Sequence, residues 1–381
     1  MRTDGRNRQP NRAAWLAICG ILGVAAAAAA APPLRWFSDE RAPTREVAWG
    51  DFDRDDDLDL AVANQGAPDQ VYLNDNGNLR LIWESPLHDY DGLDRHDDSY
   101  SVAWADVDGD MDLDLAVGSQ GVRIGEPVGA PNRLYLNNGD NTFTAIWESG
   151  QKESTRSVAW GDLNKDGKLD LAVGNRGYPE LGAPAARNRI YLGDGAGNLS
   201  PWWGSVEQEN TERLVWADFD DDGWQDLAVA NDGQVNRIYR NQNGSMRPHW
   251  ESLEQDFSCD LAVGYLDGDR FPDLAVANRS QPDRVYLNDG TGRMNLVWSS
   301  DDTLVTLSAE WGDYDGDGDD DVVFGTGRQG VYMFRNDAGA LLFDQVIDER
   351  EVVYSIDFGQ FDLSANVEFV TGGSARPIRL Y

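Results

Sequence analysis

The sequence predicts an all-β protein, a seven-bladed β-propeller with four antiparallel strands per blade. Three observations carry that expectation. A Trp-Gly-Asp or Trp-Ala-Asp signature recurs along the chain, each copy is followed by the same order of short apolar runs, and the two chain ends each hold part of one repeat.

The signature first stands at Trp49-Gly50-Asp51. It returns at Trp104-Ala105-Asp106, Trp160-Gly161-Asp162, Trp216-Ala217-Asp218 and Trp311-Gly312-Asp313. Two weaker copies, Val263-Gly264-Tyr265 and Phe358-Gly359-Gln360, fill the gaps. The loop starts at 51, 106, 162, 218, 265, 313 and 360 are 55, 56, 56, 47, 48 and 47 residues apart. Seven copies occupy residues 32–381 and leave no room for an unrelated domain.

Within a copy the elements come in a fixed order. Val47-Ala48-Trp49 predicts a first strand, the Asp-rich loop follows, and residues 58–63 form a second apolar run. Val71-Tyr72-Leu73 predicts a third strand, ending in the hairpin signal Asn74-Asp75-Asn76-Gly77. A fourth strand carries Trp83, with counterparts at Trp147, Trp203, Trp250 and Trp298. Their fixed place in apolar strands reads as packing between blades rather than as a ligand-stacking platform. The last copy stops at its third strand, residues 378–381. Leu34-Arg35-Trp36-Phe37 matches a fourth strand, as in Leu81-Ile82-Trp83-Glu84. The N-terminal strand is therefore expected to complete the last blade, which removes open sheet edges.

Residues 1–31 read as a signal peptide. Arg2, Arg6, Arg8 and Arg12 precede an apolar run over 13–31, whose Ala-rich end offers small-residue cleavage sites before Pro32. An uncleaved N-terminal membrane anchor is the alternative. Either implies export, to a secreted or periplasmic and cell-envelope location. Cys19 lies in this leader, so Cys259 would be the one thiol of the mature chain and no internal disulfide could form. Cys259 reads as a buried structural residue.

Composition narrows the function. With 67 acidic against 32 basic residues the net charge is -35, which excludes a simple nucleic-acid binder. A disordered acidic chain is excluded by 41% hydrophobic residues, among them 14 Trp. The surplus carboxylates are instead explained by metal loops of the form D-x-D-x-D-G-x-x-D.

Positions 1, 3, 5 and 9 of that loop offer carboxylates, position 7 a carbonyl, and position 6 a turn that favours positive φ. Six or seven hard oxygen donors on a flexible loop suit Ca²⁺. Five loops are complete: Asp51/Asp53/Asp55/Asp59, Asp106/Asp108/Asp110/Asp114, Asp162/Asn164/Asp166/Asp170, Asp218/Asp220/Asp222/Asp226 and Asp313/Asp315/Asp317/Asp321. Position 6 is Asp56 and Met111 in two of them, and Met111 is expected to be strained. A sixth site in the fifth blade keeps Asp267, Asp269 and Asp273 but has Tyr265 at position 1. The seventh loop, with Gln360, Asp362, Ser364 and Glu368, is expected to hold none. Metal-free acidic turns are the alternative. Two carboxylates ~4 Å apart repel by roughly 4 kcal/mol at an effective dielectric of about 20, which disfavours them. An EF-hand needs an acidic position 12, where these loops carry Val62, Val117, Val173, Val229 and Phe324.

The aromatic-Gly pairs, the Asp loops and the Asp-Leu-Ala-Val runs at 59–62, 114–117, 170–173, 226–229 and 273–276 resemble the FG-GAP-like (VCBS) repeat family, known from the propellers of integrin α-subunits. The resemblance covers residues 34–381. It implies a seven-bladed propeller with Ca²⁺ in the hairpins between strands 1 and 2, and ligand or partner binding through the opposite face.

The first three blades are eight or nine residues longer than the rest, through residues 86–100, 120–132 and 176–188. These segments are expected on the face opposite the Asp loops, and loops on a rigid scaffold commonly carry recognition. Tyr90, Arg95, His96, Arg123, Tyr178 and Arg187 are the candidate ligand contacts. The expected function is an exported, monomeric binding or adhesion module for an extracellular or envelope protein or a glycan. The alternatives are a polysaccharide lyase or hydrolase on the same scaffold, or a structural envelope protein. Only three His are present and no nucleophile or cofactor motif appears, so no catalytic residue is assigned.

Overall fold

In the computed structural model, the described residues are 34–38, 41–90, 93–120, 130–178, 186–347, 352–359, 368–374 and 377–381. The predicted leader lies outside them.

Seven four-stranded antiparallel sheets make seven blades, each with its strands in sequential order. The first strands are Thr44–Gly50, Ser99–Ala105, Thr155–Gly161, Thr211–Ala217, Ser258–Gly264, Thr306–Gly312 and Val353–Gly359. The seventh sheet is completed as expected by the N-terminal strand, with Trp36 opposite Leu380 and Phe37 opposite Arg379. Second strands such as Asp59–Asn64 and Asp226–Asn231 are buried at every residue, because sheets cover both of their faces. That is why they read as continuous apolar runs rather than as alternating ones.

The core lies between blades. Phe52, Ala61 and Val71 of blade one pack with Val102, Leu115 and Tyr135 of blade two, and similar clusters recur around the ring. The strand-4 Trp of one blade meets the strand-3 aromatic of the next edge-on: Trp147 and Tyr191 at 5.3 Å, Trp203 and Tyr239 at 5.3 Å, Trp250 and Tyr286 at 5.4 Å. The Gly after the strand-1 aromatic makes room for the next blade's Trp. A Cβ on Gly50 would stand 2.6 Å from Trp104, and one on Gly264 would stand 2.3 Å from Trp311.

First strands also bond across blades near the central channel. The third residue of one accepts from a backbone N–H of the next, as Ser101 Oγ does from Val158 (3.0 Å) and Glu46 Oε2 does from Val102 (2.9 Å). Arg213 holds this place in blade four, where no acceptor is available. Segment 86–100 contains an extra hairpin, His88–Tyr90 against Leu93–Arg95, that no alternation in the sequence announces.

Candidate metal centres and the opposite cavity

The Asp loops join strands 1 and 2, so all lie at one end of the channel. In four blades the carboxylates of positions 1, 3 and 9 converge. One oxygen each from Asp51, Asp53 and Asp59 lies within 4.8 Å of the others, and the same holds for Asp106/Asp108/Asp114, Asp218/Asp220/Asp226 and Asp313/Asp315/Asp321. Position 5 stands outside these triads. Its Oδ1 accepts the position-7 N–H, at 3.0 Å for Asp55, 2.9 Å for Asp110, 2.9 Å for Asp222 and 3.1 Å for Asp317.

Position 6 has positive φ as expected: Asp56 71°, Met111 77°, Gly167 78°, Gly223 82° and Gly318 97°. Position 4 also turns left-handed, at Arg54, Gly109, Lys165, Asp221, Gly268 and Gly316. The sequence alone did not single out position 4, although Gly at three of the six copies was a signal. The turn aims the N–H groups of positions 5 and 6 at the position-1 carboxylate. Asp218 accepts from Asp222 at 3.1 Å and from Gly223 at 2.7 Å.

Position 9 has a second task. Asp59 Oδ2 accepts from Phe52 N (3.1 Å) and Oδ1 from Asn74 N (2.8 Å), which pins the loop to strand 3. Asp114, Asp170, Asp226, Asp273 and Asp321 make the same pair of bonds. Burial, with the loop carboxylates adding to it, pushes Asp59, Asp226 and Asp321 up to about 7 and Asp114 and Asp170 to about 6. The strand-3 Asn is a further site element that reads in sequence only as a turn signal. Asn241 Nδ2 donates to Gln225 O (3.1 Å) in its own blade and to Leu163 O (2.8 Å) in the preceding loop.

Blade three brings Asp162 and Asp170 into the same places. Its Asn164 donates to Asp166 Oδ2 at 3.2 Å. Blade five differs. Tyr265 N donates to Asp320 Oδ2 of the next blade (3.1 Å), Asp269 N to Asp267 Oδ1 (3.1 Å), and Asp273 keeps its two structural bonds. What sets blade five apart is Tyr265, which offers no position-1 carboxylate to stand beside Asp267 and Asp273. In the seventh loop residues 360–367 lie outside the described residues, and Glu368 is buried and paired with Arg35.

Whether the triads suit a cation is tested by Asp220. Its side chain is 5% exposed, and neither carboxylate oxygen has a hydrogen-bond partner among the described residues. Arg240 Nε lies 2.5 Å from Oδ2 in an ion pair that is not aligned as a hydrogen bond. Oδ1 is left with neither a hydrogen bond nor an ion pair among the described residues, and a buried acceptor of that kind calls for a partner. The triads offer only carboxylate oxygens, the donors of a hard cation.

The opposite channel mouth holds a cavity of about 450 Å³. The second residues of the first strands, Arg45, Tyr100, Arg156, Glu212, Cys259 and Tyr354, line it. Cys259 is thus a wall residue rather than a core one, and desolvation pushes its thiol up to about 11. The predicted ligand contacts stand elsewhere. Tyr178 is 9% exposed and sits behind the wall, its OH accepting from Gln120 Nε2 (2.7 Å) and from Arg156. Arg187 is exposed on the connection of blade three, and its carbonyl accepts from Asn175 (2.8 Å). Arg95 and His96 are part-buried at the extra hairpin, which also holds the backbone of Tyr90. Arg123 and the side chain of Tyr90 lie outside the described residues.

The sequence profile of the FG-GAP-like repeat matches residues 51–117, 123–173 and 265–324, and that of the FG-GAP repeat matches 154–193. The chain belongs to the FG-GAP repeat family. No curated protein matches this FG-GAP propeller in sequence. Among solved structures it is similar to BBS1N in complex with ARL6DN, soaked with lead, at 13% identity and a TM-score of 0.63. The match covers 91% of this chain and 96% of that one. The mercury-soaked crystal of the same complex gives 13% identity and 0.63, over 91% and 95%. At that identity the likeness is one of fold.

Proposed function

We propose that the FG-GAP propeller is an exported, calcium-stabilised binding module that takes a protein or glycan ligand on the face opposite its Asp loops, without turning it over. The observation that carries this reading is the division of labour between the two channel ends. Carboxylate triads crowd one end, and the open cavity of about 450 Å³ stands at the other.

Positions 1, 3 and 9 of blades one, two, four and six would hold Ca²⁺, with Asp162, Asn164 and Asp170 as a fifth set. The ion would supply charge neutralisation and rigidity rather than chemistry, since burial and mutual repulsion already work against these carboxylates. Export is supported by the basic-then-apolar pattern of residues 1–31. A binding role is supported by the Cys259 thiol, held far from the thiolate a nucleophile would need. The propeller of BBS1N, in a complex with a protein partner, offers a parallel for this fold as a docking platform.

Calorimetric titration of the chelator-treated chain with Ca²⁺ tests the metal half. Uptake of four or five ions with a rise in melting temperature is expected, and no uptake at millimolar Ca²⁺ overturns it. Binding of a glycan and protein panel before and after masking the cavity face tests the other half.

A further inference from the structure

The cavity wall concentrates positive charge in a chain whose net charge is -35. Six arginines line it: Arg45, Arg156, Arg176, Arg213, Arg279 and Arg328. Four carboxylates serve them. Arg213 is shared between Glu46 and Asp260, Arg176 between Glu212 and Asp232, Arg279 pairs with Asp232 at 2.7 Å, and Arg156 approaches Glu212 at 3.5 Å. Among the described residues, Arg45 and Arg328 have no carboxylate partner.

Arg45 is nevertheless fixed. Its guanidinium lies 4.7 Å from the ring of Tyr100 and 4.2 Å from that of Tyr354, and Gln65 Oε1 accepts from its Nε at 3.0 Å and also from Nη2. Two of its five N–H donors are thereby used. Arg156 stacks on Tyr100 from another blade at 4.0 Å. The buried Nε atoms of Arg156 and Arg213 face Glu212 and Asp260 at 3.5 and 3.3 Å, which fixes these side chains in the wall. A preorganised guanidinium with spare donors, as at Arg45, is complementary to a planar carboxylate.

Deeper in the channel carboxyl groups outnumber arginines, with Arg213 the one arginine lining it among the described residues. Glu46, Glu310 and Asp357 line a second cavity of about 350 Å³. The upper cavity is large enough for about one or two sugar rings, and Glu212 and Ser355 offer acceptors that a carboxylate alone would not use.

We propose that this cavity binds a carboxylate carried on a sugar ring, the chemistry of a uronic acid. The assignment rests on the binding-face reading above and names the ligand class of that face. Arg45 and Arg328 receive the carboxylate, while Glu212 and Ser355 take the ring hydroxyls.

The test titrates the calcium-saturated full chain with galacturonate, galactose and inorganic phosphate. Galacturonate is expected to bind and galactose to give no heat. Arg45→Gln and, separately, Arg328→Gln are each expected to weaken galacturonate binding by about tenfold or more at unchanged melting temperature. Arg328 is exposed on a turn, so its variant stays informative if Arg45→Gln fails to fold. Galactose binding as tightly as galacturonate, phosphate binding more tightly, or galacturonate binding unmoved by both variants overturns the proposal. A neutral glycan or protein whose capture is lost in Arg45→Gln would sink the carboxylate assignment and leave the binding face standing. A ligand whose capture is lost only when the Asp loops are mutated would sink both.

Discussion

The indole of Trp36 stands edge-on to the ring of Tyr72, with centroids 5.6 Å apart and planes at 75°. Trp36 belongs to the strand that completes blade seven and Tyr72 to blade one, so this contact closes the ring. It repeats the Trp–Tyr geometry found within the continuous part of the chain. Trp36→Ala should therefore lower unfolding free energy by about 2 kcal/mol, less than a fully buried aromatic because Trp36 is half-buried. Denaturant unfolding measures it, and an unchanged midpoint would mean that the ring closes without this strand.

Met111 holds φ at 77° with its side chain 66% exposed, so it is strained and gains little from burial. Replacing it with Gly should stabilise the protein by about 1 kcal/mol, whereas Met111→Val should destabilise it. Thermal melts of the two variants should move in opposite directions.

Two Asp positions in similar loops should respond differently to chelator. Asp273 of blade five satisfies Leu266 N and Asn288 N, so Asp273→Ala should cost about 2 kcal/mol with or without Ca²⁺. Asp53 belongs to a carboxylate triad, and its Asn variant should be at least as stable as wild type in chelator, since burial and the neighbouring Asp charges work against its ionised form, and should lose one ion in a calcium titration. Equal behaviour of the two in chelator would refute the separation of roles.

Arg240 reaches Asp220 Oδ2 and Asp222 Oδ2, competing with a cation for blade four. Arg240→Leu should strengthen calcium binding at that loop by up to about 1 kcal/mol, roughly fivefold. Site-resolved competition with a luminescent lanthanide would read the change, and a weaker site would contradict it.

The channel carboxylates set a pH dependence. Burial pushes Glu310 up to about 8, with Asp357 and Asp260 adding to it against the opposing Arg213, and burial pushes Asp357 up to about 7. A carboxyl whose folded value is raised stabilises the fold below its unfolded value and loses that contribution as pH rises through the folded one. The chelated protein should therefore melt several degrees higher at about pH 6 than at about pH 8.5. Calcium-loaded protein should resist this trend, because protons compete for the Asp loops. Glu310→Gln should flatten the chelated profile.

The period of the repeat made the blade number, the ring closure and the Asp loops legible, since each depends on residues close in sequence. Tyr265 likewise announced that blade five departs from the pattern. The arginine cavity was hidden because Arg45, Arg156 and Arg213 lie in different repeats and meet only when the first strands are set side by side. The burial of Tyr178 was hidden for a related reason. An insertion looks exposed in sequence, yet its Tyr turns inward to brace Arg156. The bonds of Asp59 and Asp273 were equally hidden, because an Asp at position 9 reads as a ligand whether or not it also pins a strand.

The strand-3 Asn residues tie neighbouring Asp hairpins together. Asn137, Asn241, Asn288 and Asn336 each grip a carbonyl in the preceding blade's hairpin, at 3.0, 2.8, 2.9 and 2.8 Å. Among the described residues these bonds join the hairpin of blade one to blade two, and those of blades three to six in series, while blade three carries Gly193 at the Asn position and makes no such bond to blade two. Within each linked set, stiffening one hairpin lowers the entropy its neighbour still has to lose, so successive cations would meet progressively better-ordered loops.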